Sequence, residues 1–278
     1  MINEKRFTPA FGVIAASAVT AAFLLTEFIL VRTGVMGTGA RMYMVDGICR
    51  LFFGTVSMVL LHKRYGKRLE EKMKIRFSGP VALMMIPLAL YLGVHLCYCF
   101  VSTSYTLKML TIFLINCVQQ LLTGYFEEAT SRGLMLSGMM PKYKLSYQGR
   151  LKMVLTSGLV FGVFHILNVI FTGDILGSVW QGFCTAMWGM FIAAVYMCSN
   201  SLLLVMVIHA VWDIAVRVPN AFMMVPETGL APEVIETVKD VIELGIMPVA
   251  AILICIFYDK IYMKKAPVRI KESEAQEQ

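Results

Sequence analysis

The sequence has 278 residues, of which 58% are hydrophobic and only 15% are charged, and its mean hydropathy is +0.71. Soluble domains carry about a quarter charged residues, so this composition excludes an ordinary soluble domain and indicates a membrane protein. The net charge of +7 would suit nucleic-acid binding, but the basic residues cluster as expected for loops on one side of a membrane. We therefore expect a lipid bilayer as a partner, and no nucleic acid.

Eight apolar segments follow one another along the chain, and a transmembrane helix needs about 20 such residues. They cover residues 9–31, 43–61, 79–101, 109–137, 152–171, 175–198, 201–217 and 241–263. We predict an all-α fold, a polytopic membrane helix bundle of about eight transmembrane helices in a single domain, 1–278. The motif-bearing core is expected at about 109–217 and a short cytoplasmic tail at 264–278. The first segment is interpreted as a signal anchor because it exceeds the apolar region of a typical signal peptide.

The first two spans contain three charged residues at membrane depth. Charged groups there are costly and by default mark a functional site. Asp46 and Arg50 are four residues apart, so they are able to pair on one helix face. Because Glu27, Asp46 and Arg50 are each isolated in sequence, we interpret all three as structural.

The connection 62–78 after the second span is strongly basic. With an even number of spans, it lies on the same side as both termini and residues 142–152, and this side collects most of the lysines and arginines. Because cytoplasmic loops carry the excess of Lys and Arg, both termini are predicted to be cytoplasmic. The basic loop is expected to lie against anionic headgroups, with nucleic-acid binding as the weaker alternative.

The fourth segment carries a polar stripe that ends in two glutamates. Asn116, Gln120, Thr123 and Glu127 fall on one helix face, and such a face must look into the bundle or a water-filled cavity. The spacing allows an ion pair between Glu128 and Arg132, which would leave Glu127 free for proton transfer. The alternative is a charge cluster at a helix end that reaches the interface, and the sequence favours neither.

The fifth and seventh segments contribute histidines. His165 lies within an apolar span, while His209 and Asp213 share one face of the seventh segment, where a carboxylate typically orients an imidazole. The alternative is a structural polar clasp between helices. From the rise of about 1.5 Å per residue, Glu127, His165 and His209 are able to meet in one pocket in the cytoplasmic half of the bilayer.

Three motifs on successive spans together resemble the CPBP family of intramembrane peptidases. That family joins CAAX-prenyl-protein endopeptidases with bacterial bacteriocin-processing and self-immunity proteins. The motifs read Glu127-Glu128-x-x-x-Arg132, Phe161-x-x-x-His165 and His209-x-x-x-Asp213, and they extend over about 90 residues. The resemblance implies a membrane peptidase whose catalytic residues are Glu127, Glu128, Arg132, His165, His209 and Asp213.

The resemblance also implies roles for these residues. Glu127, helped by His165, would be the base that activates water, although Glu127 and Glu128 are able to exchange roles. The family has been interpreted both as metal-independent and as metal-dependent. In the first case His209 and the residue four positions later hold the oxyanion; in the second, Glu127, His165 and His209 would hold a divalent metal such as zinc. Asp213 stands where the prenyl-processing branch has Asn, and an ionised Asp is unable to donate to an oxyanion.

The leading functional hypothesis is an endopeptidase of the bacterial plasma membrane, with a cavity that opens to the cytoplasm. Its substrate would be a small secreted peptide, a bacteriocin leader or a membrane-anchored protein, and a prenylated CAAX protein is less expected in a bacterium. A non-catalytic immunity or scaffolding protein is one alternative. A proton- or metal-coupled transporter is another, although the two halves of the sequence have no repeat symmetry.

Overall fold

The computed structural model describes residues 8–77, 79–101, 107–221 and 237–262, and all regular elements within these ranges are helical. The α-helices are α1 (Pro9–Arg32), α2 (Ala40–Tyr65), α3 (Arg68–Lys72), α4 (Gly79–Val101), α5 (Leu107–Glu128), α6 (Ser137–Tyr143), α7 (Tyr147–Ile166), α8 (Val169–Thr172), α9 (Ile175–Ser199), α10 (Leu202–Ala221) and α11 (Met247–Tyr262). π-Helical segments at Ala129–Leu136 and Val241–Ile246 lead into α6 and α11.

Each of the eight predicted apolar segments contains one long helix of the described part. Among the described residues, five helical stretches are long and apolar enough to cross a membrane, and Gly79–Gly93 and Leu202–Val216 are shorter apolar stretches. The predicted polytopic helical membrane bundle is therefore confirmed. The cytoplasmic location of the termini stays a prediction, and the predicted tail 264–278 lies outside the described residues.

Polar residues just before the apolar runs fix where several helices begin. The Thr8 hydroxyl accepts a hydrogen bond from the Phe11 amide at the start of α1. Pro9 follows as the first helical residue, a position that suits proline because the amide hydrogen that proline lacks has no partner there. The Ser146 hydroxyl accepts from Gly149 N at the start of α7, and Asp174 accepts from Gly177 N at the start of α9. These caps satisfy backbone donors that the first turn of a helix leaves unpaired.

Two helix boundaries differ from the predicted segments. α5 continues through the π-helical segment Ala129–Leu136 into α6, so the fourth helical stretch runs to Tyr143 rather than to residue 137. The fifth predicted segment, 152–171, is interrupted, because α7 ends at Ile166 and the short α8 follows. π-Helical turns occur frequently at functional sites, and this one begins directly after Glu128.

α5 lies in the middle of the bundle, between α2 and α10, while α7 packs along α9. Glycine permits the close contact between α5 and α10, since a Cβ at Gly124 would stand 2.5 Å from the carbonyl oxygen of Met206. The polar face of α5 is thereby brought next to the face of α10 that carries His209.

The basic connections meet at one end of the bundle, which we call the basic end. It is formed by the α2–α3 and α6–α7 connections and the C-terminal ends of α9 and α11. Basic side chains join its elements through hydrogen bonds and an ion pair. These contacts are Arg64 Nη2 to Ser137 O at 3.1 Å, Lys72 Nζ to Asn200 Oδ1 at 2.7 Å, Lys144 Nζ to Met197 O at 2.9 Å, and Arg150 Nη2 to Asp259 Oδ2 at 2.8 Å.

Candidate active site

The polar stripe of α5 faces the interior of the bundle, as its sequence spacing predicted. Asn116, Gln120 and Thr123 expose 2%, 0% and 5% of their surface, whereas Leu114 and Leu121 on other faces expose more than half. A helix in a bilayer is forced into this orientation because lipid offers no hydrogen-bond partners to polar side chains. The stripe leads directly to Glu127.

Glu128 is fully buried and joins two of the predicted site residues. Its Oε1 atom accepts hydrogen bonds from Arg132 Nη1 at 3.0 Å and from His209 Nδ1 at 2.7 Å. The ion pair that the spacing of Glu128 and Arg132 predicted is therefore present. Arg132 also donates to Gly189 O at 2.9 Å and lies over the Phe161 ring. This arrangement fixes the His209 ring so that its other nitrogen, Nε2, is turned away from Glu128.

Glu127 presents its two carboxylate oxygens to different partners. Oε1 accepts a hydrogen bond from Arg50 Nη1 at 2.8 Å. Oε2 lies 3.9 Å from His165 Nε2 and 3.7 Å from His209 Nε2. Within the described part of the chain, Oε2 is buried and has no hydrogen-bond partner. A buried carboxylate oxygen without a partner is costly, so this atom is where a bound water or substrate group would be stabilised.

The remaining predicted residues complete the cluster. His165 Nδ1 is 2.9 Å from Phe161 O, and because a carbonyl only accepts, Nδ1 carries the proton and Nε2 faces Glu127. Asp213 Oδ2 lies 3.7 Å from His209 Nε2. The structure thus brings all six residues that the motifs singled out into one cluster formed by α5, the following π-helical segment, α7 and α10.

A cavity of about 210 Å³ adjoins this cluster, and its walls combine aromatic rings with polar side chains. Trp188 and Trp212 stack at 4.2 Å between ring centroids, and Trp212 stacks on Tyr91 at 3.6 Å. Phe161 lies against the rings of His165 and His209. The aromatic packing holds both imidazoles at the cavity wall.

The sequence interpretation missed the contribution of the first two spans. Arg50 donates to Asp46 through Nε at 2.8 Å, as its spacing predicted, and also reaches Glu127. Glu27 and Arg50 both line the cavity, and Gln119 of α5 donates to Asp46. Glu27 and Arg50 therefore belong to the wall of the site, which our interpretation of them as structural did not anticipate. The available signal was that a cation stabilises a carboxylate at membrane depth and that Arg50 is a cation at similar depth, but this signal does not single out Glu127 as its partner.

The side chains around Glu127 are not arranged as a metal-binding site. The Nε2 atoms of His165 and His209 converge on Glu127, and their Nδ1 atoms are held as in metal-binding histidines. However, the Arg50 guanidinium is bound to the same carboxylate, where its positive charge opposes a divalent cation. Among the described residues, no group of three or more His, Cys, Asp or Glu side chains has the arrangement of a metal site.

The cavity extends away from the basic end of the bundle. Its lining includes Asn168, Gln181 and Glu243, which stand near the C-terminal end of α7 and the N-terminal ends of α9 and α11. The lining does not test on which side of the membrane the cavity opens, so the cytoplasmic opening stays a prediction.

The fold is that of a multi-pass helical membrane protein with an ionisable cluster on its inner helices. The family model described as "Type II CAAX prenyl endopeptidase Rce1-like" matches residues 106–215, a segment that contains all three motifs. This match confirms, for that segment, the resemblance to the CPBP and CAAX protease family, and it supports a CAAX-type membrane protease. No curated protein and no solved structure matches the chain.

Proposed function

We propose that this chain is an intramembrane endopeptidase in which Glu127 activates a water molecule for attack on a peptide bond. The observation that carries the proposal is the buried Oε2 atom of Glu127, which lacks a hydrogen-bond partner in the described residues and faces two histidine nitrogens beside a cavity. A general base needs an atom of this kind, close to the reacting water and free to accept its proton.

The distances suit a bound water. Hydrogen bonds to water are about 2.8 Å long, so one water is able to contact Oε2 of Glu127 and a histidine Nε2 that is 3.7 or 3.9 Å away. Glu127 takes a proton as the water oxygen attacks the carbonyl carbon. When the tetrahedral intermediate collapses, the C–N bond breaks and Glu127 returns the proton to the departing amine. His165 orients the water through Nε2.

His209 is the group that we assign to the oxyanion. An ionised Asp213 only accepts hydrogen bonds, whereas His209 donates from Nε2 when both ring nitrogens carry protons. Glu128 and Arg132 do not touch the reacting atoms in this mechanism; they hold the His209 ring through its Nδ1 atom. Asp213, 3.7 Å from Nε2, keeps a negative charge near the ring.

The proposed setting is the plasma membrane of a bacterium. The proposed substrate is a small secreted peptide, a bacteriocin leader or a membrane-anchored protein, because the cavity lies between transmembrane helices. A prenylated protein is the less favoured substrate, since a bacterium is not expected to supply one.

The test is a comparison of new protein N-termini in membranes of host cells that express the wild type or Glu127→Gln. Free α-amino groups are chemically labelled and identified by mass spectrometry. Glu71→Gln is the matched control, because Glu71 is an exposed glutamate that pairs only with Lys74 and Arg76 among the described residues. We expect N-termini that occur with the wild type and Glu71→Gln and disappear with Glu127→Gln. Identical N-termini in all three membranes would contradict a Glu127-dependent peptidase.

A further inference from the structure

The basic end of the bundle is closed by packed side chains. Between the Glu128–Arg132 pair and the contacts of Lys72 and Lys144 lies a layer of mostly buried side chains. It comes from the π-helical segment after α5, from the last turns of α9 and from the first turns of α10. Its members with 0% exposure are Leu134, Leu136, Ala193, Ala194, Val195, Tyr196, Met197, Leu202 and Val205. None of these residues lines the cavity beside Glu127, so buried and mostly apolar side chains separate that cavity from the basic end.

The opposite end of the cavity is polar and accessible. Asn168 Nδ2 donates to Gln181 Oε1 at 3.0 Å, and both side chains line the cavity. Gln181 is exposed, and Asn168 lies two residues beyond the end of α7. Thr185, one helical turn further into the bundle on α9, continues the lining toward Trp188 and the histidines. A polar route therefore leads from this end to the catalytic cluster.

The charge distribution identifies which end this is. Exposed lysines at residues 63, 142 and 152 stand at the basic end, and the excess of Lys and Arg marks the cytoplasmic side of a membrane protein. The end that carries Asn168 and Gln181 then faces the outside of the cell. The acidic cap Asp174 also lies at this end, at the start of α9.

We infer that the cavity receives water and substrate from the extracytoplasmic side, so that the substrate is an exported peptide or the outward-facing segment of a membrane-anchored protein. That a substrate enters the cavity rests on the proposed peptidase function. The direction of the opening rests on packing and charge alone. The cleaved bond would lie in the outer half of the membrane or just outside it.

The test measures which side of the membrane reaches the cavity. Single variants Asn168→Cys, Gln181→Cys and Thr185→Cys are treated with a membrane-impermeant sulfonated maleimide, added either to intact cells or to inverted membrane vesicles. Lys63→Cys is the matched control, because Lys63 is exposed at the basic end. Labelling is measured above that of the wild-type chain, whose natural cysteines provide the blank. All four positions are polar side chains at a surface or cavity wall, so the substitutions remove no core packing.

We expect the cysteines at 168, 181 and 185 to react in intact cells, and the cysteine at 63 to react only in inverted vesicles. Reaction of the cavity positions only in inverted vesicles would overturn the inference, and so would reaction of position 63 in intact cells. The labelling needs no catalysis, so it stands even if Glu127→Gln leaves all N-termini unchanged. Conversely, Glu127-dependent cleavage together with labelling from the cytoplasmic side would retain the peptidase and reject only the direction of entry.

Discussion

Arg50 Nη1 donates a hydrogen bond to Glu127 Oε1 at 2.8 Å, across 77 positions of sequence. The same guanidinium is held by Asp46 through Nε, so it is fixed from both sides. Because Oε1 is engaged in this way, Oε2 is the oxygen of Glu127 that is turned toward His165 and His209. Arg50 lies outside the segment 106–215 that matches the protease family, so the family match alone does not indicate a role for it.

Arg50 is expected to act as a positioning residue for Glu127. Arg50→Gln should lower kcat by about 10²-fold, the loss that a misplacement of about 1 Å produces, and leave KM nearly unchanged. Guanidinium chloride at millimolar concentration should restore part of kcat to Arg50→Ala, because the free cation is able to occupy the vacated space. The measurement is steady-state cleavage by the purified protein in liposomes.

Arg64→Gln provides the matched control for Arg50, since Arg64 is an arginine of the same helix that hydrogen-bonds across to Ser137 at the basic end. It should reduce thermal stability but retain kcat, and guanidinium should have no effect on it. An equal loss of kcat in both variants would mean that Arg50 contributes only to folding. The double variant Asp46→Asn with Arg50→Gln removes both charges of the Asp46–Arg50 pair, so it serves as a second test if Arg50→Gln alone folds poorly. An inactive double variant with a normal unfolding temperature would support the role of Arg50 in positioning Glu127.

Glu128 and Glu127 should respond differently to loss of charge. Glu128→Gln leaves Arg132 without its carboxylate in a fully buried position, and breaking a buried pair costs about 3–5 kcal/mol. Glu127→Gln should cost less, because Arg50 retains its ion pair with Asp46. The stability cost of each variant is measured as the change in the free energy of unfolding in detergent. If Glu128→Gln unfolds at the wild-type temperature while Glu127→Gln does not fold, our assignment of the two glutamates is reversed.

Metal removal should leave cleavage intact. The guanidinium of Arg50 is bound to the carboxylate that a metal ion would need, and its charge opposes a second cation there. We expect dialysis against a strong chelator to retain the wild-type kcat. Loss of activity with recovery on addition of Zn²⁺, together with stoichiometric zinc that is absent from His165→Ala, would establish a metal peptidase instead.

Lys72 should make the stability of the basic end depend on pH. Burial, together with the nearby cations Arg64, Lys144 and Arg76, lowers the pKa of the Lys72 ammonium to about 8. The unfolded chain then binds more protons than the folded chain between pH 8 and the unperturbed pKa of about 10.4, so stability rises with pH in that window. Below about pH 8 both states are protonated and the cost of burying the charge is constant.

The unfolding temperature of the wild type and of Lys72→Met, measured between pH 7 and pH 10, tests this dependence. The unfolding temperature of the wild type should increase relative to that of Lys72→Met as the pH rises above 8. Lys67→Met is a suitable control because Lys67 is exposed in the same connection. Parallel curves for wild type and Lys72→Met would show that Lys72 titrates normally.

Bilayer physics made much of the fold predictable from the sequence. Apolar length located the eight long helices, and the cost of polar groups in lipid predicted the buried face of Asn116, Gln120 and Thr123. The pairs Asp46–Arg50 and Glu128–Arg132 followed from helical spacing alone. These features depend on residues that are close in sequence or on the solvent that surrounds a helix.

The features that escaped prediction depend on how helices pack against each other. Arg50 had a satisfactory partner in Asp46 within its own helix, so nothing in the sequence required its second contact with Glu127. The π-helical turn after Glu128 and the break after Ile166 carry no glycine or proline signal at their starts. Depth counted along single helices does not give the direction of the cavity, because that direction depends on how side chains from several helices pack at each end of the bundle.

The most direct test of the central claim is kcat of purified, liposome-reconstituted Glu127→Gln on a peptide identified by N-terminal labelling. We expect kcat to fall by about 10²- to 10⁴-fold relative to the wild type, the usual contribution of a general base, with substrate binding retained and a smaller loss of stability than Glu128→Gln produces. Cleavage by Glu127→Gln at the wild-type rate would contradict the assignment of Glu127 as the base and with it the proposed mechanism.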